Sequence, residues 1–384
     1  MNQTVTRTEH QQQMDVYVTA GVERAMELGN RGPIRFDDDG KVAQDILDAY
    51  WRTGFYVFED LVDPAEIALL RTEFDRLIDG APVDNGANED RLGRPAIGQE
   101  FARDSYILVK PLSDPWGGTK HLGGRHPHKM TEPEVQGDAP AKVVFLISGM
   151  CQLSEPALRL YGHHDVLAIA EAVNGVDFVP YNDATFVKAA GLGGSVAWHQ
   201  DGVTHWDNPD WDEGIHGFNF QVQLYDCTPH NCLWVLAGTH KEGKADITGR
   251  VAANGGSEYL PEAVPLICKA GDVTIANRQV IHGSFANTSE NQRISITFGF
   301  HRYSSVLGAK AALSQEDEAI IYDEERIDDR AGIVQLAIDA RQQFYPNEPR
   351  FAYQRFEGRE DQFQYNAETR ETLLRNYNLK DLSI

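Results

Sequence analysis

Short stretches of alternating apolar and polar residues fill the middle of the chain, separated by turns rich in glycine, proline and asparagine. The pattern predicts strands over residues 184–189, 217–225, 233–237, 264–269, 272–276 and 293–301. Because no long helical pattern lies between these strands, they indicate an antiparallel sandwich or jelly-roll barrel. We therefore expect a mostly β fold with flanking helices.

Helical patterns lie on both sides of this strand-rich region. Helices are predicted over 42–51, 64–77, 155–173, 333–344 and 368–377, with a strand at 54–58. Asp63 followed by Pro64 is a typical helix start. We expect one enlarged domain over 1–384, divided into an arm (1–40), a helical and loop-rich flank (41–177), a jelly-roll core (178–303) and a helical extension (304–384).

Charge and composition exclude several classes of function. The 384 residues carry a formal net charge of −23, with 41% hydrophobic and 24% charged positions. A strongly acidic chain lacks the basic face that nucleic acids and anionic membranes require. With no 20-residue apolar run and a polar first segment, we expect a soluble cytoplasmic protein that acts on a small molecule. The composition leaves the oligomeric state open.

Four cysteines are too few and too irregularly spaced for a disulfide framework. We expect them to be reduced. Cys227 and Cys232 are close enough in sequence to suggest zinc, but no second cysteine pair accompanies them.

Three residues have the spacing of a two-histidine, one-carboxylate metal site. His199 and Asp201 are two apart, so at a strand end their side chains point into the same cavity. His282 follows far downstream, before a small-residue turn, and we expect it on the opposite side of the barrel mouth. This ligand set is typical of non-haem iron(II) oxygenases because it leaves coordination positions open.

Several motifs together resemble the phytanoyl-CoA dioxygenase (PhyH) family. The likeness covers about residues 178–303 and extends weakly to 42–79. It rests on Phe186-Val187-Lys188, Trp198-His199-Gln200-Asp201-Gly202-Val203, Asp226 to Val235, Gly238-Thr239-His240-Lys241, Ala270-Gly271-Asp272 and His282-Gly283-Ser284. Two positions depart from the family pattern, Cys232 after Asn231 and Ala237 before Gly238, and both affect turns.

The resemblance implies a double-stranded β-helix (jelly-roll/cupin-like) barrel that binds iron(II), 2-oxoglutarate and dioxygen. It implies that His199, Asp201 and His282 are the metal ligands. Arg293 is then the cation that pairs with the distal carboxylate of 2-oxoglutarate, a task that suits its planar guanidinium. Ser295, two residues along the same strand, is a further candidate for this carboxylate.

Lys188 matches a family position near the cosubstrate, although a lysine in a strand is also commonly solvated. The implied reaction oxidises, most simply hydroxylates, an unactivated C–H bond and releases succinate and carbon dioxide. Related halogenases replace the carboxylate ligand with a small residue, so Asp201 favours hydroxylation over halogenation. Desaturation, ring closure and C–X cleavage stay open.

The substrate is the least determined part of the prediction. In the strand 217–225, Asn219 and Gln221 alternate with apolar residues and either line the lumen or face solvent. Segment 116–129 concentrates glycine and positive charge, including Lys120 and Arg125, and is either a lid that meets an anionic group or a basic surface loop. We favour a small polar, possibly anionic, metabolite over an acyl-CoA.

Two other functions are compatible with these residues. One is a cupin-like metal-dependent isomerase or hydrolase, and the other is a non-catalytic ligand-binding barrel. Arg293 discriminates between the first of these and an oxygenase, because only the oxygenase needs a buried cation for a dicarboxylate. The intact metal triad counts against the second.

Overall fold

Two β-sheets lie on either side of one cavity, and helices cover the outer face of the larger sheet. The computed structural model describes residues 4–311 and 320–384. Its strands are β1 Thr4–Val5, β2 Arg31–Gly32, β3 Phe55–Phe58, β4 Tyr106–Val109, β5 Glu132–Pro133, β6 Val143–Ser148, β7 Val179–Lys188, β8 Val196–His199, β9 Phe218–Gln223, β10 Trp234–Leu236, β11 Val264–Pro265, β12 Val273–Asn277, β13 Ile281–Ser284 and β14 Arg293–His301. Its α-helices are α1 Arg7–Glu27, α2 Gln44–Thr53, α3 Pro64–Asp79, α4 Met150–Leu153, α5 Glu155–Tyr161, α6 His164–Asn174, α7 Ile247–Ala253, α8 Tyr303–Val306, α9 Glu324–Phe344 and α10 Ala367–Leu374.

The strand order is that of a jelly roll. The larger sheet has the order β2-β3-β12-β9-β14-β7-β6-β4, and the smaller sheet has the order β11-β10-β13-β8. From β7 to β14 the chain passes repeatedly between the two sheets, and these pairings are antiparallel. The predicted fold class, mostly β with a double-stranded β-helix and flanking helices, is confirmed.

The central strands of the larger sheet divide their residues between two faces with period two. On β9, Phe218, Phe220 and Val222 are completely buried in the main hydrophobic cluster together with residues of α3, α5, α6 and α9. The intervening residues Asn219 and Gln221 line the cavity. The helices therefore pack on the aromatic face of this sheet, and the amide face is the lumen.

The sheet extends well beyond the predicted core. β3 joins one side of it, and β6 and β4 add two strands on the other. The flank over 41–177 was expected to be helical and loop-rich, and its part from 80 to 141 also contains the short strands β4 and β5, which were not predicted individually. Runs such as Tyr106–Val109 are short and continuously apolar, and such runs lack the alternation that distinguishes a half-buried strand.

The predicted N-terminal arm contains a 21-residue helix, α1, with a capping box formed by Thr6 and Glu9. This helix buries only His10, Met14 and Gly21, so its apolar stripe is too narrow to stand out in the sequence. A Cβ added at Gly21 would lie 2.6 Å from the Trp234 ring, so glycine permits the close approach of α1 to the barrel.

The helices also differ in extent from the prediction. The helix expected at 155–173 is two helices, because the chain turns at Gly162 between α5 and α6. α9 begins nine residues earlier than predicted, in a charged stretch that gives little apolar signal. Among residues 4–311 and 320–384, none of the helices combines the length and the apolar character needed to cross a bilayer.

Candidate active site

His199, Asp201 and His282 converge at one point between the sheets. One potential ligand atom from each of the three lies within 4.8 Å of the other two. His199 ends β8 and His282 lies on β13, and the two are direct partners in the antiparallel pairing of these strands. The expectation that they lie on opposite sides of the mouth is therefore wrong. They are neighbours on one sheet, which places both imidazoles on the same face.

Both histidines present the same ring nitrogen to the common centre. Nδ1 of His199 donates to the Ala197 carbonyl oxygen at 2.8 Å, and Nδ1 of His282 donates to the Val280 carbonyl oxygen at 3.0 Å. A carbonyl can only accept, so Nδ1 carries the hydrogen in each of these hydrogen bonds, and Nε2 is the ring nitrogen available to a metal. Burial is the main cause that lowers the pKa of His282 to about 4, and the nearby His199 is a smaller cause. The His282 ring is therefore neutral at physiological pH.

The backbone of Asp201 is fixed by Arg278. The Asp201 amide donates to the Arg278 carbonyl oxygen at 2.7 Å, and Nη2 of the buried Arg278 side chain donates to the Asp201 carbonyl oxygen at 3.3 Å. The same Nη2 also donates to the carbonyl oxygen of Ile384, also at 3.3 Å. The Arg278 guanidinium therefore links the C-terminal extension to the backbone of Asp201.

The Asp201 carboxylate lies among positive and polar groups. Its Oδ1 is 3.3 Å from Nε2 of His199, and its Oδ2 is 3.5 Å from Nε2 of His282. Burial alone would raise the pKa of Asp201, but Arg125, His282 and His199 outweigh that effect and hold the pKa well below its ordinary value. Two imidazole Nε2 atoms and one ionised carboxylate form a donor set that fits a divalent iron.

Arg293 lies at the start of β14, on the lumen side, and is 2% exposed. Its Nη1 donates to the Asn231 carbonyl oxygen at 3.0 Å, while its Nε has no partner among the described residues. Within residues 4–311 and 320–384, no carboxylate lies within salt-bridge distance of this guanidinium. A buried cation with unused donors, lining the same cavity as the triad, can hold the carboxylate of a bound molecule.

Ser295 and Lys188 make internal contacts. The Ser295 hydroxyl donates to Oε1 of Gln223 at 2.6 Å. Lys188 is 2% exposed, and its Nζ donates to the carbonyl oxygens of Gly194 and Phe285 at 2.5 and 2.6 Å. Burial is the main cause that lowers the pKa of Lys188 well below its ordinary value, and the positive charge of the nearby Arg293 is a smaller cause. Lys188 and Arg293 are direct partners in the β7–β14 pairing, so Lys188 is a neighbour of Arg293 but does not line the cavity.

The cavity that joins these groups has a volume of about 740 Å³, within the range of small-molecule sites. Ser284, two residues after His282 on β13, lines it, and the Ser284 hydroxyl has no partner among the described residues. Sequence reasoning did not select Ser284. The period-two rule counted forward from His282 would have identified it.

Asn219 and Gln221 both face the cavity and not solvent. Nδ2 of Asn219 donates to Oδ2 of Asp201 at 2.7 Å, so this amide contacts a candidate metal ligand directly. The side-chain oxygen of Gln221 is buried without a partner among the described residues. Of the two basic candidates in segment 116–129, Arg125 lines the cavity and contacts Asp201, whereas Lys120 is exposed and does not line it.

Segment 116–129 also contributes a histidine, His126, that was not predicted from the sequence to lie near the site. The His126 ring lies 4.2 Å from the His199 ring, centroid to centroid, and also packs against Trp116. His126 is completely buried, and neither of its ring nitrogens has a partner among the described residues. Burial is the main cause that lowers the pKa of His126, and the nearby His199 is a smaller cause, so the His126 ring is neutral. This ring covers one face of the His199 ring.

The four cysteines are not members of the candidate metal site. Cys151, Cys227, Cys232 and Cys268 are buried free thiols. Burial raises the pKa of Cys227 to about 12, so this thiol is protonated and a poor metal ligand in the present arrangement. Within the described part of the chain, the only group of histidine, cysteine or acidic residues that could hold a metal is His199, Asp201 and His282.

A jelly roll with two histidines, one aspartate and a buried arginine around one cavity defines a class of metal-dependent barrel enzymes. The family model described as phytanoyl-CoA dioxygenase (PhyH) matches residues 50–295. The chain therefore belongs to the phytanoyl-CoA dioxygenase (PhyH) family, a family of iron(II)- and 2-oxoglutarate-dependent oxygenases, and the resemblance drawn from the motifs is confirmed.

Individual relatives are more distant. Phytanoyl-CoA dioxygenase 1 of Oryza sativa subsp. japonica is 32% identical over 117 residues, which are 29% of this chain and 40% of that protein. The chain thus spans well under half the length of this curated relative. Among solved structures, AviO1 from Streptomyces viridochromogenes Tue57 is 20% identical, with a TM-score of 0.45 over 68% of this chain and 95% of AviO1. EctD from S. alaskensis, solved with 2-oxoglutarate and 5-hydroxyectoine, is 17% identical, with a TM-score of 0.48 over 72% of this chain and 82% of EctD.

Proposed function

We propose that this protein is an iron(II)/2-oxoglutarate-dependent dioxygenase that hydroxylates a C–H bond of a small polar metabolite. In this proposal His199, Asp201 and His282 bind the iron, and Arg293 binds the distal carboxylate of 2-oxoglutarate. The observation that carries it is the pairing of a convergent two-histidine, one-aspartate site with a buried arginine that has no carboxylate partner among the described residues. Membership of the family supports the same assignment.

When bound, iron and 2-oxoglutarate supply the oxidation, in which dioxygen and decarboxylation of the keto acid to succinate drive attack on the substrate C–H bond. The protein's part is positioning. The carbonyl groups of Ala197 and Val280 hold the two imidazoles in the metal-binding tautomer. Arg293 orients the cosubstrate through its distal end, and the Ser284 hydroxyl, which lines the same cavity from the opposite sheet, adds a hydrogen bond.

The intact Asp201 favours hydroxylation over halogenation, since a halide ligand needs the position that this carboxylate fills. A metal-dependent isomerase or hydrolase is not favoured, because the family that matches residues 50–295 is one of oxygenases. A purely ligand-binding barrel is not favoured either, because all three candidate ligands are present and converge.

The C-terminal extension supports a polar substrate. Tyr322, Arg326, Leu379, Asp381 and Ser383 line the same cavity as the metal triad. They lie outside the residues matched by the family model, so part of the cavity wall comes from a segment that the family match does not include. Asp381 is held by Arg103, Nη1 to Oδ2, at 2.7 Å. Charged and hydroxyl-bearing side chains on this wall suit hydrogen-bonding groups better than an acyl chain.

An anaerobic titration with iron(II) and 2-oxoglutarate tests the proposal. The wild-type protein should develop the weak visible charge-transfer absorption of 2-oxoglutarate chelated to iron(II). His282→Ala should abolish it, and Arg293→Met should require far more 2-oxoglutarate. Arg341→Met is the matched control, because Arg341 is buried but already paired with Glu66. Absence of the band in the wild type, or an unchanged 2-oxoglutarate affinity in Arg293→Met, would contradict the proposal.

The substrate can then be sought by measuring which metabolites accelerate succinate formation. Once a stimulating compound is found, Asp381→Asn should raise the KM for that compound and leave the KM for 2-oxoglutarate unchanged. Equal effects on both constants would argue against a substrate contact at the C-terminal wall.

A further inference from the structure

Two donors from outside the metal-binding strands enclose the Asp201 carboxylate. Nη1 of Arg125 lies 3.1 Å from Oδ1 and also donates to the Asp201 main-chain oxygen at 3.0 Å. Nδ2 of Asn219 donates to Oδ2 at 2.7 Å. Each carboxylate oxygen therefore has its own donor, one cationic and one neutral. Because a carboxylate can only accept, these contacts fix its orientation.

Arg125 reaches this position from segment 116–129, which is neither part of the two sheets nor close to Asp201 in sequence. The segment is anchored beside the metal face by the buried Trp116 and by His126, whose ring packs on that of His199. The Arg125 side chain is 14% exposed, and among the described residues Asp201 is the carboxylate with which it pairs. Arg125 and Asp201 are 76 positions apart in sequence, so their contact depends on the tertiary structure and not on local structure.

We propose that Arg125 and Asn219 form an anion cradle at the third-ligand position of the metal site, and that Arg125 is a positioning residue for Asp201. This inference rests on the proposed function, since it assumes that Asp201 binds the metal. A ligand carboxylate is most effective when outer partners restrict its rotation. Both side chains donate to the carboxylate, so they should also bind a small monovalent anion, such as formate, that occupies the position of the carboxylate.

Chemical rescue of Asp201→Gly tests the cradle with cobalt(II) as the spectroscopic probe. The variant should bind cobalt weakly, and added formate should restore binding by occupying the vacated position. In Asp201→Gly/Arg125→Gln the formate concentration for half-maximal rescue should rise by about ten-fold or more, as expected for loss of a charge-assisted hydrogen bond. Asp201→Gly/Lys120→Gln is the matched control, because Lys120 carries the same charge in the same segment but is exposed.

Equal formate requirements in the Arg125 and Lys120 double variants would overturn the proposal. The proposal would also be overturned if replacing either Arg125 or Asn219 left the rescue by formate unchanged. Failure of the wild-type protein itself to bind cobalt would instead overturn the proposed function, so the two failures are distinguishable.

A second measurement covers the case in which Asp201→Gly does not fold. Asp201→Asn keeps the shape of the side chain but removes the charge that Arg125 pairs with. Amide hydrogen exchange over segment 116–129 should then become at least several-fold faster, while exchange in β7 and β14 stays unchanged. Unchanged protection of the segment in Asp201→Asn would overturn the role of the Arg125–Asp201 pair.

Discussion

Replacing Arg293 with methionine should weaken 2-oxoglutarate binding without lowering the stability of the fold. Arg293 is 2% exposed, and among the described residues its guanidinium makes one hydrogen bond, to the Asn231 carbonyl oxygen. Burial lowers its pKa, which reports an unfavourable environment for the charge. Removing a poorly compensated buried charge should leave the free energy of unfolding unchanged or raise it by up to about 2 kcal/mol.

The affinity for 2-oxoglutarate should fall steeply in the same variant. Two hydrogen bonds between a guanidinium and a carboxylate contribute about 1.5 kcal/mol or more each. Their loss corresponds to a reduction in affinity of about 100-fold or more. Urea denaturation without cosubstrate measures the first effect, and anaerobic titration with iron(II) and 2-oxoglutarate measures the second.

Arg341→Met is the control for burial alone. Arg341 is 4% exposed and forms two hydrogen bonds with the Glu66 carboxylate, at 2.9 and 3.0 Å. Breaking this pair leaves a buried carboxylate unpaired and should lower stability by about 3 kcal/mol or more, with no change in 2-oxoglutarate affinity. If Arg293→Met is as destabilising as Arg341→Met and binds 2-oxoglutarate normally, the assignment of Arg293 to the cosubstrate is refuted.

Three further predictions concern stability. Lys188→Met should lower it by about 2–4 kcal/mol, because two buried carbonyl groups lose their donor, with a smaller effect on 2-oxoglutarate affinity than Arg293→Met; chemical denaturation of both variants decides this. Burial raises the pKa of Glu258 from 4.5 to about 7, so its stabilising contribution, complete below about pH 4.5, should decline as pH rises through 7, by up to about 3 kcal/mol. Glu258→Gln should therefore remove that decline between pH 5 and 8, and parallel pH profiles for variant and wild type would contradict it. Chelation of a metal present at 100 times its Kd should lower the unfolding free energy by about 2.7 kcal/mol in the wild type and not in His282→Ala, as thermal denaturation with and without chelator would show.

The sequence was sufficient for the parts of the fold that follow period-two alternation. Phe218, Phe220 and Val222 alternate with Asn219 and Gln221, and the strand they predict is β9. β4 and β6 were not predicted because their residues are apolar without alternation. α1 was not predicted because it buries too few residues along one stripe.

The site shows the same division between local and long-range information. His199 and Asp201 could be paired from sequence because they are two positions apart at a strand end, although Asp201 lies just beyond the last residue of β8. The period-two rule within a strand would also have reached Ser284 from His282 on β13. The contacts of Arg125 and Asn219 with Asp201 could not be predicted, because they depend on how segment 116–129 and β9 pack in three dimensions. The direction of the amide face of β9 was also left open, since alternation gives two faces without saying which one is the lumen.

The most direct test of the account measures iron content and 2-oxoglutarate conversion in the same sample. Protein reconstituted with iron(II) should hold one iron per chain, and in air it should convert 2-oxoglutarate to succinate with equivalent release of carbon dioxide, even before its substrate is known. The His199→Ala and His282→Ala variants should lose both the iron and the conversion. Succinate formation that persists without iron, or in a variant lacking either histidine, would contradict the central claim.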